Sequence, residues 1–290
     1  MLIQKFKKYF HLFLFGGLLL LNFFVWYAIS AEERGGRLTV SVLDIGQGDA
    51  IFIEAPNGNQ ILIDGGPDSK VLRRLGEMLP FYDRSIDMFI VSNPDKDHIA
   101  GLIDVLRRYK VARVMEPGTV SKTAVYREFE NEIEKEKAEN ILARRGMRVV
   151  LDGKNGVFLE ILFPDRDVSG LTTNNGSIVA KLIYGNTSFL LTGDSPKAVE
   201  SYLVSLDGQS LRSDVLKVGH HGSKTSTGEI FLGYVSPEYA VISSGKNNKY
   251  GHPHKETTDA LEKFNVSYWK TATAGTVVFR SDGEKVFRVK

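Results

Sequence analysis

Five of the six histidines of this 290-residue chain lie in three short segments, and a fourth short segment ends in an aspartate. Each segment comes after a run of apolar residues that predicts a strand, and the chain contains no cysteine. Imidazole and carboxylate groups are the common metal ligands where thiolates are absent, so the pattern predicts a divalent metal site with nitrogen and oxygen ligands. The segments are Asn93-Pro94-Asp95-Lys96-Asp97-His98, Leu191-Thr192-Gly193-Asp194, Gly219-His220-His221-Gly222-Ser223 and Gly251-His252-Pro253-His254.

Taken one at a time, these segments have ordinary structural explanations. An aspartate-rich segment such as that around Asp95 commonly caps the helix that follows it. A single histidine in a loop is more often a surface residue than a ligand, and a Gly-Asp pair at a strand end is commonly only a turn. The metal-site interpretation depends on all four segments lying at strand ends, where rigid scaffolds carry functional groups.

The strands and helices that position these segments follow from the apolar pattern. Apolar runs predict the strands Leu38–Leu43, Ala50–Glu54, Gln60–Asp64, Ile86–Val91, Val149–Leu151, Val157–Phe163, Ile178–Tyr184, Ser188–Thr192, Val215–Val218, Tyr239–Ser243 and Thr276–Arg280. Amphipathic and charged stretches predict the helices Lys70–Met78, Ile99–Tyr109, Ala124–Arg145, Pro196–Leu206 and His254–Phe264. Two strand-rich halves with intervening helices predict one α/β sandwich with its sheets inside.

A long apolar run near the N-terminus is predicted to cross a membrane. At about 1.5 Å per residue, it spans roughly 30 Å, the thickness of a bilayer core. Lys5, Lys7 and Lys8 precede the run, so the positive-inside rule predicts a cytoplasmic N-terminus. The alternative is a cleaved signal peptide with Ala28-Ile29-Ser30 as its cleavage site. The expected organisation is a basic tail at 1–8, a signal-anchor at 9–30, a linker at 31–37 and an extracytoplasmic domain at 38–290.

The charge balance argues against a basic surface over the whole domain. The chain has 37 Lys and Arg residues, 35 Asp and Glu residues and a formal net charge of +2 at pH 7. The excess lies in residues 1–36, so the predicted domain is formally neutral. Because phosphate contacts dominate the affinity of general nucleic-acid binders, a DNA or RNA substrate would require a local basic patch.

Six ordered motifs are distributed along residues 38–288. They are Leu43-Asp44-Ile45-Gly46-Gln47-Gly48-Asp49-Ala50, Ile63-Asp64-Gly65-Gly66, the segment ending Asp95-Lys96-Asp97-His98, Leu191-Thr192-Gly193-Asp194, Leu216-Lys217-Val218-Gly219-His220-His221-Gly222-Ser223, and Tyr250-Gly251-His252-Pro253-His254. This set resembles the metallo-β-lactamase-like domain of the bacterial competence DNA-uptake family ComEC. The resemblance implies an αββα metallo-β-lactamase sandwich with metal bound between the sheet edges, here preceded by one transmembrane helix.

The resemblance also implies roles for the residues of the metal site. Asp97 and His98 are expected to hold one ion. Asp194 is expected to bridge two ions or to bind a single one. Either His220 or His221 completes the site, and the other contacts the substrate phosphate or donates a proton.

Further residues are expected to meet the substrate. The segment of His252 and His254 resembles the family's substrate-facing rim, and His252 is the stronger candidate for a catalytic role. Lys217 and Lys224 flank the double-histidine segment and could neutralise a substrate phosphate beside Ser223, although solubility is the more common role of such lysines.

One residue departs from the family pattern. The metal motif normally begins with histidine, and this chain has Asn93 there, a weaker zinc ligand. The first metal position would rely on Asp95, Asp194 and Asn93, an oxygen-rich set that suits Mn²⁺ or Mg²⁺ better than Zn²⁺. We therefore expect one or two divalent ions, Mn²⁺ or Zn²⁺, with Mg²⁺ also compatible. Asp64 is expected to orient the ligands through hydrogen bonds from a buried position.

Together these expectations describe an extracytoplasmic, metal-dependent phosphodiesterase in a bacterial membrane, and the resemblance favours a nuclease linked to DNA uptake. Because this chain has one apolar run and the family's channel region has many helices, any channel is expected to be a separate protein. One alternative is hydrolysis of another envelope phosphoester. A second is a degenerate binding module, which Asn93 motivates. β-Lactam hydrolysis is disfavoured, since the resemblance lies with the nucleic-acid branch.

Overall fold

The computed structural model describes residues 2–32 and 35–290 in two compact units, Met1–Gly36 and Arg37–Lys290. The first unit contains one helix, α1 (Leu2–Glu32). Its window Tyr9–Trp26 has a mean hydropathy of 1.7 and is long and apolar enough to cross a membrane. The predicted N-terminal apolar helix is therefore present. Its direction across a membrane stays a prediction, as do the boundaries of the tail, anchor and linker; residues 33 and 34 of that linker lie outside the described residues.

The second unit is built on two sheets. Its strands are β1 (Leu38–Val42), β2 (Ile51–Glu54), β3 (Gln60–Ile63), β4 (Ser85–Ile90), β5 (Lys110–Glu116), β6 (Glu139–Leu142), β7 (Arg148–Asp152), β8 (Val157–Phe163), β9 (Val179–Tyr184), β10 (Thr187–Leu191), β11 (Val215–Lys217), β12 (Tyr239–Ile242), β13 (Ser267–Lys270), β14 (Val277–Ser281) and β15 (Val286–Arg288). The first sheet has the strand order β15-β14-β1-β2-β3-β4-β5-β6, and the second has the order β13-β12-β11-β10-β9-β8-β7.

Helices cover the outer face of each sheet. They are α2 (Lys70–Gly76), α3 (Lys96–Leu106), α4 (Ala124–Glu136), α5 (Lys197–Asp207), α6 (Glu229–Val235), α7 (Lys255–Lys263) and the short α8 (Thr271–Ala274). Apolar residues of α2, α3 and α4 pack on the first sheet, and those of α5, α6 and α7 pack on the second. A third apolar cluster lies between the sheets. The predicted αββα sandwich is confirmed.

The central strands are apolar on both faces because both faces are buried. In β2, Ile51 and Ile53 point into the core between the sheets, and Phe52 points to the helices. This follows from the alternation of side chains along a strand. Each of these side chains removes roughly 100 Å² or more of apolar surface from water, which stabilises the sandwich by a few kcal/mol.

Parallel pairing brings the functional segments to one end of the molecule. Strands β3, β4 and β5 are parallel to one another, and so are β10, β11 and β12. The histidine and aspartate segments follow the carboxyl ends of β4, β10, β11 and β12. Crevices outside the carboxyl ends of parallel strands are the usual ligand sites of α/β folds.

The predicted helix Ala124–Arg145 was too long. The helix α4 ends at Glu136, and Lys137 adopts a left-handed conformation with φ 61°. The charged residues that follow form the edge strand β6, which pairs in parallel with β5 from Arg113 opposite Glu139. Strand pairing at the sheet edge prevails here over local helix propensity, which is a weak constraint.

Several other elements differ from the sequence prediction. Helix α3 begins at Lys96 rather than Ile99, so Asp97 and His98 belong to its first turn instead of a loop. Strands β5, β6, β13 and β15 and the short helix α6 were not predicted. These elements are short or carry charged residues on their exposed side, which weakens the apolar periodicity.

We predict that Glu130 on α4 makes stability pH-dependent. Burial and the neighbouring carboxyl of Glu116 raise the pKa of Glu130 from 4.5 to about 7. Because the folded-state pKa is raised, its stabilising contribution is present at acidic pH and is lost as the pH rises through about 7. In Glu130→Gln this loss is absent, so the variant should exceed wild type by up to about 1 kcal/mol near pH 8.5 and match it near pH 4, below the unfolded-state pKa of 4.5.

Urea unfolding of the full chain in detergent at the two pH values measures this difference. Glu256→Gln, which removes an exposed carboxylate from α7, is the matched control and should follow wild type. A Glu130→Gln variant with no gain at the higher pH would contradict the assignment.

Candidate metal centre

The first turn of α3 supplies two of the candidate ligands. Asp97 and His98 are adjacent on this turn, and His98 is fully buried. The turn packs against Gly48, where a Cβ atom would lie 2.0 Å from the Asp97 carbonyl oxygen. Gly48 also has φ +123°, so glycine is required at this point for both space and conformation. The glycine-rich motif before β2 thus determines how close α3 can approach.

The His98 imidazole is held by a contact with the Asp64 carboxylate. Its Nδ1 lies 2.8 Å from Asp64 Oδ2. The same carboxylate accepts hydrogen bonds from the Ser92 hydroxyl at 2.5 Å and the Ser92 backbone N–H at 2.8 Å. With Nδ1 engaged, Nε2 of His98 is the atom directed to the centre, 3.2 Å from Asp194 Oδ2. A histidine whose second nitrogen is held by a carboxylate is the usual arrangement of a metal ligand.

The double-histidine segment forms a tight left-handed turn. His220 and His221 have φ of 47° and 55°, a conformation that non-glycine residues seldom adopt and that occurs at functional sites. The next residue, Gly222, has φ +85°, and a Cβ atom there would lie 2.6 Å from Pro253. The turn directs the two imidazoles to different places: His221 is buried, whereas about a quarter of the His220 side chain is exposed.

His221 lies in the centre of the site. Its Nε2 is 3.4 Å from Asp97 Oδ2 and 3.5 Å from Asp194 Oδ1. Its Nδ1 is 3.1 Å from the carbonyl oxygen of Ser243 and 3.2 Å from Asp49 Oδ1. His220 Nε2 is farther away, at 3.7 Å from Asp194 Oδ2. The geometry therefore favours His221 as the ligand and leaves His220 at the mouth of the site.

The atoms that face one another fit a divalent cation. Nε2 of His98, Nε2 of His221 and Oδ1 of Asp194 are buried, and none has a hydrogen-bond partner among the described residues. Ligand atoms of Asp97, His98 and His221 lie within 4.8 Å of one another. Buried polar atoms are almost always satisfied, so these unpaired atoms indicate a missing partner. Two imidazole nitrogens and two carboxylates form a donor set that suits zinc, manganese or iron.

Opposite charges in the cluster stabilise one another. Burial opposes the charged form of His221, but the carboxylates of Asp194 and Asp49 prevail and raise its pKa to about 10. Burial likewise opposes ionisation of Asp194, yet the imidazoles of His221 and His98 hold its pKa below the usual range. Asp194 is therefore ionised at neutral pH, and its carboxylate is available as an anionic ligand.

The side chains expected at the first metal position, Asn93 and Asp95, make hydrogen bonds of their own. Asn93 uses its Oδ1 to accept the Asp95 backbone N–H at 3.0 Å, and its Nδ2 donates to Asn174 Oδ1 at 2.8 Å. Asp95 Oδ2 accepts a hydrogen bond from the Thr173 hydroxyl at 2.9 Å. Within residues 35–290, the clusters of His, Asp and Glu that could hold an ion do not include Asp95. These contacts leave the oxygen-rich position around Asn93 and Asp95 a prediction, as is the number of ions.

Two of the predicted substrate-binding residues point into the protein. Lys217 is buried, and its Nζ lies 2.6 Å from Asp49 Oδ2 and 2.9 Å from the Val218 carbonyl oxygen. Ser223 is also buried, and its hydroxyl contacts Thr225 Oγ1 at 2.9 Å. Neither side chain can meet a substrate from the solvent. Both were expected at the surface because they flank the double-histidine segment, and sequence position does not reveal side-chain direction.

The other predicted rim residues do lie at the mouth of the site. The His252 ring centroid is 5.6 Å from that of His220 and 6.3 Å from that of His221. Burial and the charges of those two imidazoles lower the pKa of His252 to about 4. His254 Nδ1 accepts a hydrogen bond at 3.1 Å from the backbone N–H of Lys224, whose side chain is exposed.

Asp49 is the residue of the centre to which sequence reasoning gave no role. It is buried between Lys217 and His221 and contacts both. Two sequence features could have indicated its role: it is a carboxylate at the end of a glycine-rich motif, and a lysine lies inside the apolar run Val215–Val218. Because a lysine is seldom buried unless paired, the charge inside that run could have predicted a buried partner.

An αββα sandwich with a histidine and aspartate cluster between its sheet edges defines a class of metal-dependent proteins. The sequence profile of the metallo-beta-lactamase superfamily matches residues 43–246, and the chain belongs to this superfamily.

Relatives with assigned names extend the comparison. ComE operon protein 3 of Bacillus subtilis (strain 168) is 32% identical over 281 residues, which cover 89% of this chain and 34% of that protein. Competence protein ComA of Neisseria gonorrhoeae is 30% identical over 265 residues, covering 90% of this chain and 35% of that protein. The predicted resemblance to the competence family is confirmed, and the chain spans about a third of the length of these relatives.

A solved structure shows the same fold at low identity. CmlA, a diiron β-hydroxylase from Streptomyces venezuelae, superposes with a TM-score of 0.54 at 13% identity, over 87% of this chain and 54% of that chain. This similarity concerns the fold alone.

We predict that Lys217 maintains the centre by neutralising Asp49. In Lys217→Met the Asp49 carboxylate is left buried beside His221 without its ammonium partner, and the free energy of unfolding should fall by about 3–5 kcal/mol. The double variant Lys217→Met/Asp49→Asn should recover part of that loss, since no unpaired charge remains.

Urea unfolding of the full chain in detergent is the measurement. The control is Lys110→Met, which removes an exposed lysine from β5. The buried pair would be unimportant if Lys217→Met and Lys110→Met lost the same small amount of unfolding free energy.

Proposed function

We propose that the chain is a metal-dependent phosphodiesterase that acts on nucleic acid outside the cytoplasm. The observation that carries the proposal is the convergence of unpaired, buried ligand atoms from His98, His221 and Asp194. With Asp97, these residues would hold one divalent cation. The cation would supply Lewis acidity, which activates water and stabilises developing charge on phosphoryl oxygens.

Other residues of the site would orient the ligands and bind the substrate. Asp64 fixes the His98 ring, and Asp49 and the Ser243 carbonyl fix the His221 ring, so the ligands are oriented before an ion binds. His220 and His252 lie at the mouth. Their lowered pKa values keep both imidazoles neutral near pH 7, and each can donate one N–H to a phosphate oxygen.

Basic residues beside the mouth favour a polyanionic substrate. The segments 219–228 and 240–255 contain no aspartate or glutamate. The side chains of Lys224, Lys246 and Lys249 in them are exposed. Within residues 35–290, none of these three ammonium groups forms an ion pair, whereas Lys255 is paired with Asp259. The formally neutral domain therefore has a local basic patch next to the site, which phosphate binding requires.

The names of the relatives favour a role with DNA. One is a competence protein, and competence is the uptake of external DNA. We infer that this chain processes DNA at a membrane to which α1 anchors it, together with a separate channel protein. The positive residues that precede the apolar run support an extracytoplasmic location for the sandwich.

We predict that Asp194→Ala abolishes hydrolysis. Asp194 contacts both imidazole ligands, so its loss should lower activity by more than about 100-fold and reduce the bound metal below one ion per chain. The measurement is cleavage of labelled DNA by the full chain in detergent with Mn²⁺, Mg²⁺ or Zn²⁺, together with metal analysis. Asp259→Ala on α7 is the control and should retain both activity and metal.

The outcomes separate the competing functions. Cleavage that survives Asp194→Ala would show that the activity comes from elsewhere. Hydrolysis of a small chromogenic phosphodiester without any cleavage of DNA would favour an envelope phosphoester as the substrate. Less than one firmly bound ion and no hydrolysis with added Mn²⁺ would favour a degenerate binding module, which Asn93 and its hydrogen bond to Asn174 motivate.

The proposed location has its own test, because the chain contains no cysteine. A single cysteine placed by Lys122→Cys, in the exposed segment before α4, should react with a membrane-impermeant maleimide in intact cells. Lys5→Cys should react only after lysis. The opposite pattern would place the sandwich in the cytoplasm, and loss of about 30 residues from the mature chain would indicate a cleaved signal peptide.

A further inference from the structure

We propose that Tyr250 is a stacking platform for an unpaired nucleobase, so that the substrate bound at this site is single-stranded nucleic acid. This proposal rests on the proposed function, because it names the substrate of the same site. Tyr250 lies in the rim segment, residues 245–254, which follows β12 and carries His252. Its side chain is about half exposed, at 51%.

The Tyr250 ring continues a series of rings that leads to the metal centre. It lies nearly parallel to the His252 ring, with 5.6 Å between centroids and an interplanar angle of 21°. The His252 ring is in turn 6.3 Å from that of His221. A base that stacked on the outer part of Tyr250 would hold its own phosphate near the mouth of the site. An isolated exposed tyrosine would need no explanation, but one stacked beside the centre does.

The platform is held in place by one side chain. Asn248 Oδ1 accepts the backbone N–H groups of Tyr250 at 3.1 Å and His252 at 3.0 Å. Its Nδ2 donates to the carbonyl oxygens of Gly245 at 2.9 Å and His252 at 2.6 Å. The backbone on both sides of the ring is therefore fixed before a ligand binds, which lowers the entropy cost of stacking.

A lysine ammonium group lies beside the Tyr250 ring. Lys249 Nζ lies 5.0 Å from the centroid of the Tyr250 ring, and its ammonium group forms no ion pair within residues 35–290. An aromatic ring beside unpaired ammonium groups is the combination by which proteins bind single strands: the ring stacks on a base, and the cation meets the neighbouring phosphate. Bases within a duplex are stacked on one another and are not available to the ring, so the arrangement favours an unpaired strand.

The test compares two polyanions that differ only in their bases. One is an oligothymidylate, and the other is a phosphodiester chain of equal length and charge built from abasic tetrahydrofuran units. The full chain in detergent should have a KM for the oligothymidylate about tenfold lower than for the abasic chain. Tyr250→Ala should remove this preference by raising the KM for the oligothymidylate, while Tyr250→Phe should retain it.

Phe81→Ala is the matched control, since Phe81 is an exposed ring at 85% that precedes β4 at the end of the strand away from the site. It should retain the preference for bases. A loss in Tyr250→Ala that is equal for both polyanions would overturn the platform, because it would indicate a structural role in holding His252. Equal KM values for the two polyanions in the wild-type protein would overturn it as well.

Equilibrium binding distinguishes failure of the platform from failure of the proposed function. Fluorescence anisotropy in the Asp194→Ala background reports affinity for the same two polyanions without cleavage. A preference for bases that Tyr250→Ala removes would support the platform even if the wild-type protein hydrolysed neither polyanion, in which case only the proposed function would fail. Hydrolysis of both polyanions with no preference in binding would retain the function and reject the platform.

Discussion

The burial of several carboxylates in one small volume is the constraint on which the rest of the site depends. Asp49, Asp64 and Asp194 are almost fully buried, and isolated buried carboxylates are too costly for a folded protein unless they are paired. The structure supplies a positive or hydrogen-bonding partner for each: Lys217 for Asp49, His98 for Asp64, and both buried imidazoles for Asp194. The facing ligand atoms that make no hydrogen bond within residues 35–290, Nε2 of His98, Nε2 of His221 and Oδ1 of Asp194, are the candidates for binding a cation.

This balance requires contributions from both sheets, which explains why the site lies where their edges meet. Asp49 precedes β2 and Asp64 follows β3 in the first sheet, whereas Lys217 ends β11 and Asp194 follows β10 in the second. The contact between Lys217 and Asp49 joins residues 168 positions apart in the sequence. Asp64, His220 and His221 adopt left-handed backbone conformations, which direct their side chains between the two sheets. The packed surroundings stabilise this local backbone strain.

The sequence allowed the sandwich and most of the clustered histidines and aspartates to be predicted, but not the pairing of charges within the core. Apolar runs such as Ile51–Glu54 mark strands because burial on both faces leaves a continuous signal. The edge strand β6 carries Glu139 and Asn140 and leaves no such signal, so it was taken for helix. Residue type could not decide between His220 and His221, because the decision depends on two consecutive left-handed residues that turn only one imidazole inward.

The position of the charges also explains how a formally neutral domain could bind a polyanion. Its negative side chains at the site are buried around the cation position, where they act over a few ångströms in a medium of low dielectric constant. Its lysines at the same end, Lys224, Lys246 and Lys249, lie in the solvent, where their field extends to about the Debye length of 8–10 Å. Under the proposed function, a strand approaching from solution would meet the exposed positive charge first, and the buried carboxylates would act on it only through an ion that they held. Net charge therefore cannot reveal such a surface, because it adds together charges that a substrate meets at different depths.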